Sequence, residues 1–492
     1  MAAGRRERKT LLDKSIYSIV RQGFTGREHI RVAVIGTKGS GKTVFLTALI
    51  NHLRNHNQKL LDLKGWFITS LESDGGNTGN IDLFKYGEAR DKLSRGEWPG
   101  NTISLSVYRL KLRLEKKVND KKTKRRTVIL ELLDLPGERV ADLSMVGRSF
   151  REWCEWMENR FCGVEGISPD YSDYVRRIES EKNRDNILRA YKDCVSKQFE
   201  KWMLTITPSV LKLDTSGKFM YKDGAPLDSY RKNIIFTCIG VDGDNQFAPL
   251  PQTYFNNKSP EQRAIVKAFK KAYGMYKSRI VDPISEWLSH VNKAVYLVDV
   301  LSLLRNGPEA YNAEQSFASQ ALRMFRRSYS DSPLLKGVQR FMGAFVRTHA
   351  DGVYVVATKA DMVVGEVNRS RMKELAAMML KPALTDLGLP ANQREVLSCA
   401  SVKTSDNHEE KKALTARVRV KNDDGESIVE KTYEVTDVPM DWPDEDEWNS
   451  CRKDYDFRPT FPKFDKKLDK PPHQLGLESL VMRLLSLPIS EA

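Results

Sequence analysis

A glycine-rich segment carries the clearest chemical signal in the sequence. Residues 36–43, Gly-Thr-Lys-Gly-Ser-Gly-Lys-Thr, match the pattern G-x-x-x-x-G-K-[ST] in full. Glycines let successive backbone N–H groups point at phosphate oxygens, and the N-terminus of a following helix adds partial positive charge. Lys42 would reach the outer phosphates, and the Thr43 hydroxyl would bind Mg²⁺. The alternative is a chance glycine-rich turn between a strand and a helix.

A second motif lies further along the chain, at Asp134-Leu135-Pro136-Gly137-Glu138. A carboxylate at the end of a strand can hold a water ligand of magnesium, and Gly137 gives the backbone room to present an N–H to a γ-phosphate. The pattern D-x-x-G is weak alone. It gains weight here because it follows two predicted strands and lies downstream of Thr43.

A third motif, Thr358-Lys359-Ala360-Asp361, resembles the base-recognition pattern [NT]-K-x-D. The Asp361 carboxylate could accept two hydrogen bonds from a guanine ring N–H and amino group, while the stem of Lys359 lies along the base. Adenine offers no such donor pair, so the wrong base would leave Asp361 unpaired. Otherwise these residues are a lysine and an aspartate at the start of a helix. Ala400-Ser401-Val402-Lys403 falls where a further, looser base-contacting loop would lie.

The predicted elements place these motifs at the ends of strands. Val32 to Ile35 form a β-branched run, and the segment after the glycines has apolar residues at helical spacing. Strands at 128–133, 294–299, 352–357 and 395–399 precede the other motifs or lie between them. We therefore predict an α/β fold with a mostly parallel sheet.

Other segments define the domain organisation. The strand 103–114 should pair with 128–133, with the basic run 116–126 as a solvated hairpin tip or, alternatively, an anion-binding patch. Residues 233–242 predict a strand within a mainly helical region, and 414–420 with 428–435 predict a hairpin. The predicted units are 1–28, an N-terminal amphipathic helix; 29–139 and 293–407, two halves of one core; 140–292, an inserted helical subdomain; 408–472, a hairpin with an acidic and proline-rich arm; and 473–492, a helix that packs on the core.

Composition sets the broad class. The chain has 492 residues, 40% of them hydrophobic and 29% charged, which is typical of a soluble globular protein of more than one unit. The sequence has no run long enough to span a membrane and no secretory signal, so we expect a cytoplasmic location. Six scattered cysteines without a C-x-x-C pair argue against a zinc site or a disulfide framework.

The net charge of +15 raises the question of an anionic partner. The basic run 116–126 contains no aromatic residues for base stacking, so nucleic acid is disfavoured as a partner. The predicted helix at 9–22 begins at the last of four basic residues, Arg5, Arg6, Arg8 and Lys9, which leaves open a peripheral contact with an anionic membrane, in bacteria the inner membrane. Packing of that helix on the protein body is the simpler interpretation.

The ordered motifs, with Thr102, resemble the series of Ras-like GTPases, and the chain as a whole resembles the bacterial YcjX family of P-loop NTPases. The stretches that carry this resemblance span nearly the whole chain: GSGKTVFLTALINHL, WPGNT before a strand, DLPGE, FAPLP, LLRNGPEAYN, ATKADMV and a final FRP…PPH…L helix. The pieces at 98–102, 247–251 and 306–312 are not shared by GTPases at large.

The resemblance implies a Ras-like GTPase fold, mostly parallel with helices on both faces and a large helical insertion. It implies binding of GTP and GDP with Mg²⁺, a role as a nucleotide-dependent switch, and a link to bacterial stress. It assigns nucleotide contacts to Gly36, Lys38, Gly39, Ser40, Gly41, Lys42, Thr43, Val44, Lys359, Asp361, Ala400, Ser401 and Val402, magnesium contacts to Thr43, Thr102 and Asp134, and catalytic roles to Lys42, Thr102, Gly137 and Glu138.

One position departs from the Ras-like pattern. Glu138 stands where many of these enzymes have a glutamine that orients the attacking water. A glutamate could act as a base, but it adds negative charge beside an anionic transition state, so slow hydrolysis is expected. Two alternatives remain open: a nucleotide-gated interaction scaffold with incidental hydrolysis, and an ATPase. A protein partner or regulator is expected, but the sequence does not identify it.

Overall fold

The structure is a computed structural model that describes most of the chain. The described residues are 28–37, 39–55, 65–73, 82–99, 106–119, 122–135, 141–161, 169–202, 212–213, 219–220, 246–256, 259–288, 291–325, 350–422, 425–451, 455, 457, 460–462 and 473–487. The predicted helix at 9–22 and the predicted strand at 233–242 lie outside them.

Fourteen strands are formed by the described residues. They are β1 (Glu28–Ile35), β2 (Trp66–Ser73), β3 (Asp82–Leu83), β4 (Ser106–Asn119), β5 (Lys122–Asp134), β6 (Lys212–Leu213), β7 (Phe219–Met220), β8 (Lys293–Val298), β9 (Gly352–Ala357), β10 (Arg394–Ser398), β11 (Ser405–His408), β12 (Ala413–Asn422), β13 (Gly425–Glu434) and β14 (Thr460–Phe461).

Eight of these strands form a central sheet, which confirms the predicted α/β class. The order is β10-β9-β8-β1-β5-β4-β2, and β3 pairs with β4. Strands β10, β9, β8, β1 and β5 run parallel to one another, whereas β4 is antiparallel to β5 and β2 and parallel to the short β3. Every residue of β8 and β9 is buried, as expected for central parallel strands covered on both faces.

The predicted hairpin between β4 and β5 forms, but its strands are longer than predicted. They pair from Ser106 with Asp134 as far as Asn119 with Lys122. The basic run 116–126 is therefore mostly strand, and the prediction of a loop-like tip for all of it was wrong. Charged residues on an exposed hairpin extend the ladder because their side chains stay in water while the backbone groups pair.

The helices follow the strands as the parallel arrangement requires. They are α1 (Lys42–Arg54), α2 (Tyr86–Ser94), α3 (Phe150–Phe161), α4 (Pro169–Ile178), α5 (Arg184–Trp202), α6 (Gln252–Asn256), α7 (Pro260–Tyr276), α8 (Asp282–Leu288), α9 (Val300–Asn306), α10 (Pro308–Arg323), α11 (Gly365–Asp386), α12 (Glu445–Cys451) and α13 (Leu477–Leu484). Helices α3 to α8 lie between β5 and β8 in the chain. A π-helical turn, Lys277–Val281, joins α7 to α8.

Two hydrophobic cores cover the two faces of the central sheet. One contains alternate residues of β1, Val32 and Val34, with Phe45 of α1 and Leu480 of α13. The other contains Ala33 and Ile35 of β1 together with residues of α3 to α5, α7, α10 and α11. The alternation arises because successive side chains of a strand point to opposite faces. Helices α1 and α13 thus pack on the sheet as their sequence patterns predict.

A second sheet, of β11, β12, β13 and β14, lies towards the C-terminal end of the chain. The predicted hairpin is confirmed, since β12 and β13 pair from Ala413 with Glu434 to Asn422 with Gly425. The acidic segment after it is anchored by tryptophan: the Trp442 indole N–H donates to the Leu375 carbonyl, and the Trp448 indole N–H donates to the Leu304 carbonyl. None of the described helices is both long and apolar enough to cross a membrane.

Candidate functional site

The carboxyl ends of five parallel strands bring the predicted motifs to one edge of the central sheet. Val34 pairs with Asp134, and Ile35 pairs with Tyr296 of β8. Val298 and Ser398 each pair with Ala357, the last residue of β9. Because parallel strands end at the same edge, the described residues that follow β1, β8, β9 and β10 meet there with the end of β5. Such an edge is where open α/β sheets bind ligands.

The segment Gly36–Thr43, which we call the glycine loop, joins β1 to α1. Gly39 and Gly41 have φ angles of 86° and 92°, which side chains rarely allow. At Gly36 a Cβ atom would lie 2.6 Å from the Leu297 carbonyl oxygen. Gly41 is the N-cap of α1 and makes no side-chain capping bond. The glycines thus let the backbone approach β8 closely and leave the N-terminal N–H groups of α1 without a side-chain cap.

Lys42 folds back over the glycine loop. Its Nζ donates to the Gly36 carbonyl at 2.8 Å and to the Thr37 carbonyl at 2.9 Å, and the residue is buried. The Ser40 hydroxyl donates to the same Thr37 carbonyl at 2.9 Å. The positive charge of this ammonium group can act on an anion bound to the loop.

The other predicted contacts of this loop are placed as follows. Gly39 is exposed, while Gly41, Thr43 and Val44 are half-buried. Lys38 lies outside the described residues.

Asp134 ends β5 and is fully buried beside β1. Thr43 follows β1 by one loop, so a hydroxyl and a carboxylate lie at the same edge. Among the described residues no group of three or more His, Cys, Asp or Glu side chains could hold a metal alone. One hydroxyl and one carboxylate are nevertheless suitable donors for Mg²⁺, because this ion usually binds one or two protein oxygens and completes its shell with waters and substrate phosphates. Thr102, Gly137 and Glu138 lie outside the described residues.

Lys359 and Asp361 occupy the turn after β9. Lys359 adopts a left-handed backbone conformation, with φ of 63°, and its Nζ forms an ion pair with Asp299 at the end of β8. Asp361 is buried, and its Oδ2 accepts from the Thr404 backbone N–H at 2.6 Å and from the Thr404 hydroxyl at 2.7 Å. Burial raises the pKa of Asp361, and these hydrogen bonds oppose that rise only in part.

The segment after β10 is fixed to both of its neighbours. The Ala360 N–H donates to the Cys399 carbonyl at 3.3 Å, which ties the turn after β9 to the end of β10. Ala400 exchanges two backbone hydrogen bonds with Leu475, just before α13. Ser401 is half-buried, and Val402 is buried. The looser predicted loop, Ala400 to Val402, therefore lies beside Asp361.

Three candidate functional residues were not predicted from the sequence: Asp299, Glu314 and Thr404. The Thr37 hydroxyl donates to Glu314 of α10 at 2.6 Å, although the two residues are 277 positions apart. Thr404 follows a predicted loop but belongs to no motif. Asp299 ends a predicted strand. Of the three residues, it is therefore the only one that the sequence pattern could have indicated.

Thr404 also connects the Asp361 turn to the second sheet. Because the Thr404 hydroxyl donates to Asp361, it accepts from the Thr460 hydroxyl, 2.7 Å away. The Thr460 carbonyl accepts from the indole N–H of Trp98 at 2.8 Å. Trp98 lies four residues before Thr102 in the chain. A continuous series of hydrogen bonds thus runs from Asp361 to the segment that precedes the predicted switch threonine.

Comparison with known proteins gives matches over most of the chain. The model of a family described as "YcjX-like family, DUF463" matches residues 30–486. A Shewanella oneidensis protein named "Ras-like GTPase YcjX" is 23% identical over 436 residues, covering 80% of this chain and 82% of that protein. An Escherichia coli K12 protein of the same name is 25% identical over 427 residues, with coverage of 80% and 82%.

Proposed function

The chain belongs to the YcjX-like family, and from that premise we propose that it is a Mg²⁺-dependent GTPase. It binds GTP, hydrolyses it to GDP and phosphate, and changes its interactions with the nucleotide state. The observation that carries this proposal is the convergence of the glycine loop, Asp134, the Lys359–Asp361 turn and Ala400–Val402 at one sheet edge. The relatives named as Ras-like GTPases support the choice of nucleotide.

The proposed fold is a P-loop core of the Ras-like type. Its two halves are 29–139 and 293–407, and the helices between β5 and β8 form an insertion, 140–292. The strand order around β1 supports this division, because β5 and β8 are the two neighbours of β1 although about 160 residues separate them. The remaining proposed units are 408–472, which contains the hairpin, and 473–492, which contains α13.

The glycine loop is the proposed phosphate site. The backbone N–H groups from Gly39 to Val44 would donate to phosphate oxygens, aided by the positive end of α1. Lys42 would exchange its bonds with the Gly36 and Thr37 carbonyls for a phosphate oxygen. Thr43 and Asp134 would hold Mg²⁺, which when bound neutralises charge that develops on the phosphates. These residues position the nucleotide and offset its charge, which is the main task in phosphoryl transfer.

Water activation falls to the residues around Thr102, Gly137 and Glu138. On this proposal Thr102 adds a magnesium contact, the Gly137 N–H contacts the γ-phosphate, and Glu138 takes a proton from the attacking water. A second carboxylate charge beside the phosphates slows the reaction, so we expect slow turnover in the absence of a regulator.

Base recognition is assigned to Asp361, supported on either side by Lys359 and Ala400–Val402. One carboxylate oxygen of Asp361 is engaged by Thr404, which fixes the plane of the carboxylate. A carboxylate held in this way discriminates guanine from adenine by hydrogen bonding, since a buried acceptor without a donor costs about 1–3 kcal/mol.

The test is titration of the purified protein with fluorescent GTP, GDP and ATP, with and without Mg²⁺. We expect guanine nucleotides to bind at least about tenfold tighter than ATP, equivalent to about 1.4 kcal/mol. The Asp361→Asn variant should lose most of that preference. Asp386→Asn, at an exposed position at the end of α11, is the matched control and should keep it. Equal binding of ATP by the wild-type protein would overturn the assignment of guanine and favour the ATPase alternative.

A further inference from the structure

A buried carboxylate lies behind the glycine loop. Glu314 of α10 is 2% exposed. Its Oε2 accepts from the Thr37 hydroxyl at 2.6 Å, and its Oε1 accepts from the Tyr296 hydroxyl at 2.9 Å. Thr37 is the second residue of the loop, and Tyr296 lies on β8, which pairs with β1. The carboxylate therefore links the loop to the neighbouring strand and to the helix that covers it.

Both of these donors are neutral hydroxyl groups. Burial raises the pKa of Glu314 to about 7, while the two hydrogen bonds and the charge of Lys42 oppose the rise and Asp299 adds to it. Asp142 is a further acidic residue on an element that packs on α10. It lies in the 3₁₀ turn Ala141–Met145, and its Oδ2 accepts from the Tyr276 hydroxyl.

Other elements also pack on α10. The Arg148 guanidinium donates to the Gln320 side chain, and Trp442 of the acidic segment packs on Tyr311. The buried residues of α9 are apolar, and those of α11 are apolar except for Asn368. The groups in direct contact with the Glu314 carboxylate come from the glycine loop and β8.

We propose that Glu314 is a positioning residue of the glycine loop that takes up a proton when nucleotide phosphates bind to the loop. This inference rests on the proposed function, because it needs an anion on the loop. Phosphates bring several negative charges close to a buried carboxylate whose two hydrogen-bond donors are neutral hydroxyl groups, and they draw Lys42 towards themselves. Both changes favour the neutral form of Glu314.

The hydrogen bond to the loop survives this change of charge. A hydroxyl group both donates and accepts, so Thr37 can donate to the carboxylate or accept from the protonated carboxyl group. Glu314 thereby holds Thr37 in place in both states while its repulsion of the phosphates is removed. Affinity for the nucleotide should then increase as pH falls through the neutral range, because the complex binds more protons than the free protein.

The experiment measures proton uptake directly. Calorimetric titration of GDP with Mg²⁺ at pH 7, in buffers that differ in ionisation enthalpy, gives the number of protons bound with the nucleotide. Because Glu314 is about half protonated at this pH, wild type should take up about half a proton more than Glu314→Gln. At pH 8 the variant should bind GDP roughly threefold to tenfold tighter than wild type, as expected for a shift of about one pKa unit.

Two variants keep the result interpretable. Glu374→Gln, at an exposed position on α11, should behave as wild type. Tyr296→Phe removes one donor to the carboxylate, so it should move the midpoint of the pH dependence upward and reduce proton uptake at pH 7. This second variant tests the proposal even if Glu314→Gln does not fold.

The outcomes separate the inference from the proposed function. Absence of GDP binding to wild type at every pH would overturn both. GDP binding with equal proton uptake by wild type, Glu314→Gln and Tyr296→Phe would overturn the role of Glu314 alone. Weaker GDP binding by Glu314→Gln at every pH, with proton uptake unchanged, would reduce Glu314 to a structural residue.

Discussion

Asp361 owes its geometry to Thr404, a residue outside the base-recognition motif. Both the N–H and the hydroxyl of Thr404 donate to the same carboxylate oxygen. Hydrogen bonds to a charged group contribute more than those between neutral groups. The orientation of the proposed base contact therefore depends on a residue outside the motif.

Replacing Thr404 tests this dependence. Thr404→Val keeps the shape of the side chain and the backbone N–H donor, but it removes the hydroxyl that donates to Asp361 and accepts from Thr460. We expect GDP affinity to fall about fivefold to tenfold and the free energy of unfolding to fall by about 1–2 kcal/mol. Fluorescence titration and denaturant unfolding measure the two effects.

Thr404→Ser retains the hydroxyl and is the control, with both quantities close to wild type. If Thr404→Val loses stability but binds GDP as tightly as wild type, Thr404 does not orient Asp361 for the base.

At the scale of elements, α13 closes one face of the central sheet and also fixes the segment after β10. Leu475 pairs with Ala400, and Gly476 then starts the helix in a left-handed conformation, with φ of 74°. A Cβ atom on Gly476 would lie 2.4 Å from the Ser398 carbonyl oxygen at the end of β10. The position of the predicted base loop thus depends on a glycine in the last part of the chain.

Gly476→Ala should destabilise the protein for two reasons, the left-handed backbone and the clash with β10. Gly388→Ala isolates the first reason, because Gly388 has φ of 66° and a Cβ atom added there would meet no atom within 4 Å. We expect the free energy of unfolding to fall by about 1–2 kcal/mol in Gly388→Ala and by about 3 kcal/mol or more in Gly476→Ala, as measured by denaturant unfolding. Equal losses would mean that β10 and α13 separate freely.

At the scale of the whole molecule, two buried carboxylates give opposite pH dependence. Glu131 of β5 pairs with Arg31 of β1 at 2.7 Å and with Arg109 of β4 at 2.6 Å, in one row across three strands. Burial raises the pKa of Glu131, but the two guanidinium groups outweigh it and leave that pKa below its usual value of 4.5. Its contribution to stability is therefore present at neutral pH and lost in acid.

Glu314 acts in the opposite direction. Burial raises its pKa from 4.5 to about 7, so the folded protein binds more protons than the unfolded chain between these values. Stability associated with Glu314 is therefore greatest below pH 4.5 and declines as pH rises to about 7. The pH of greatest stability should therefore lie between two ranges: the acid range, where the stability contributed by Glu131 is lost, and the neutral range, where the stability contributed by Glu314 is lost.

Glu131→Gln should lower the free energy of unfolding at pH 7 by about 2–3 kcal/mol. This is somewhat below the loss for a fully buried pair, because both arginines keep partial contact with solvent. The matched control is Glu115→Gln on the exposed part of β4, where the pair with Arg125 should contribute less than about 1 kcal/mol. Unfolding at pH 7 and at pH 3 checks the sign, since the difference between Glu131→Gln and wild type should shrink in acid.

The sequence by itself determined the five parallel strands of the core and the order of the motifs. A glycine loop between a buried strand and an amphipathic helix, strands that end in Asp134 and Thr358, and a hairpin around residues 422–425 are local patterns. Such patterns depend on side-chain period and backbone freedom over a few residues, so one segment is enough to predict each of them. The strands β4 and β5 are longer than predicted. An exposed strand can consist mainly of charged residues, and these lack the alternation of apolar and polar residues by which a strand is recognised.

The tertiary structure decided which side chains meet at the sheet edge. Thr37 meets Glu314, Lys359 meets Asp299, and Asp361 meets Thr404, over separations of 277, 60 and 43 residues. No local pattern encodes such contacts, because they depend on the strand order of the sheet and on where each helix packs. A glutamate in the middle of α10 looks like any surface residue in the sequence. Only its burial behind the glycine loop gives it a charge state that a bound anion can change.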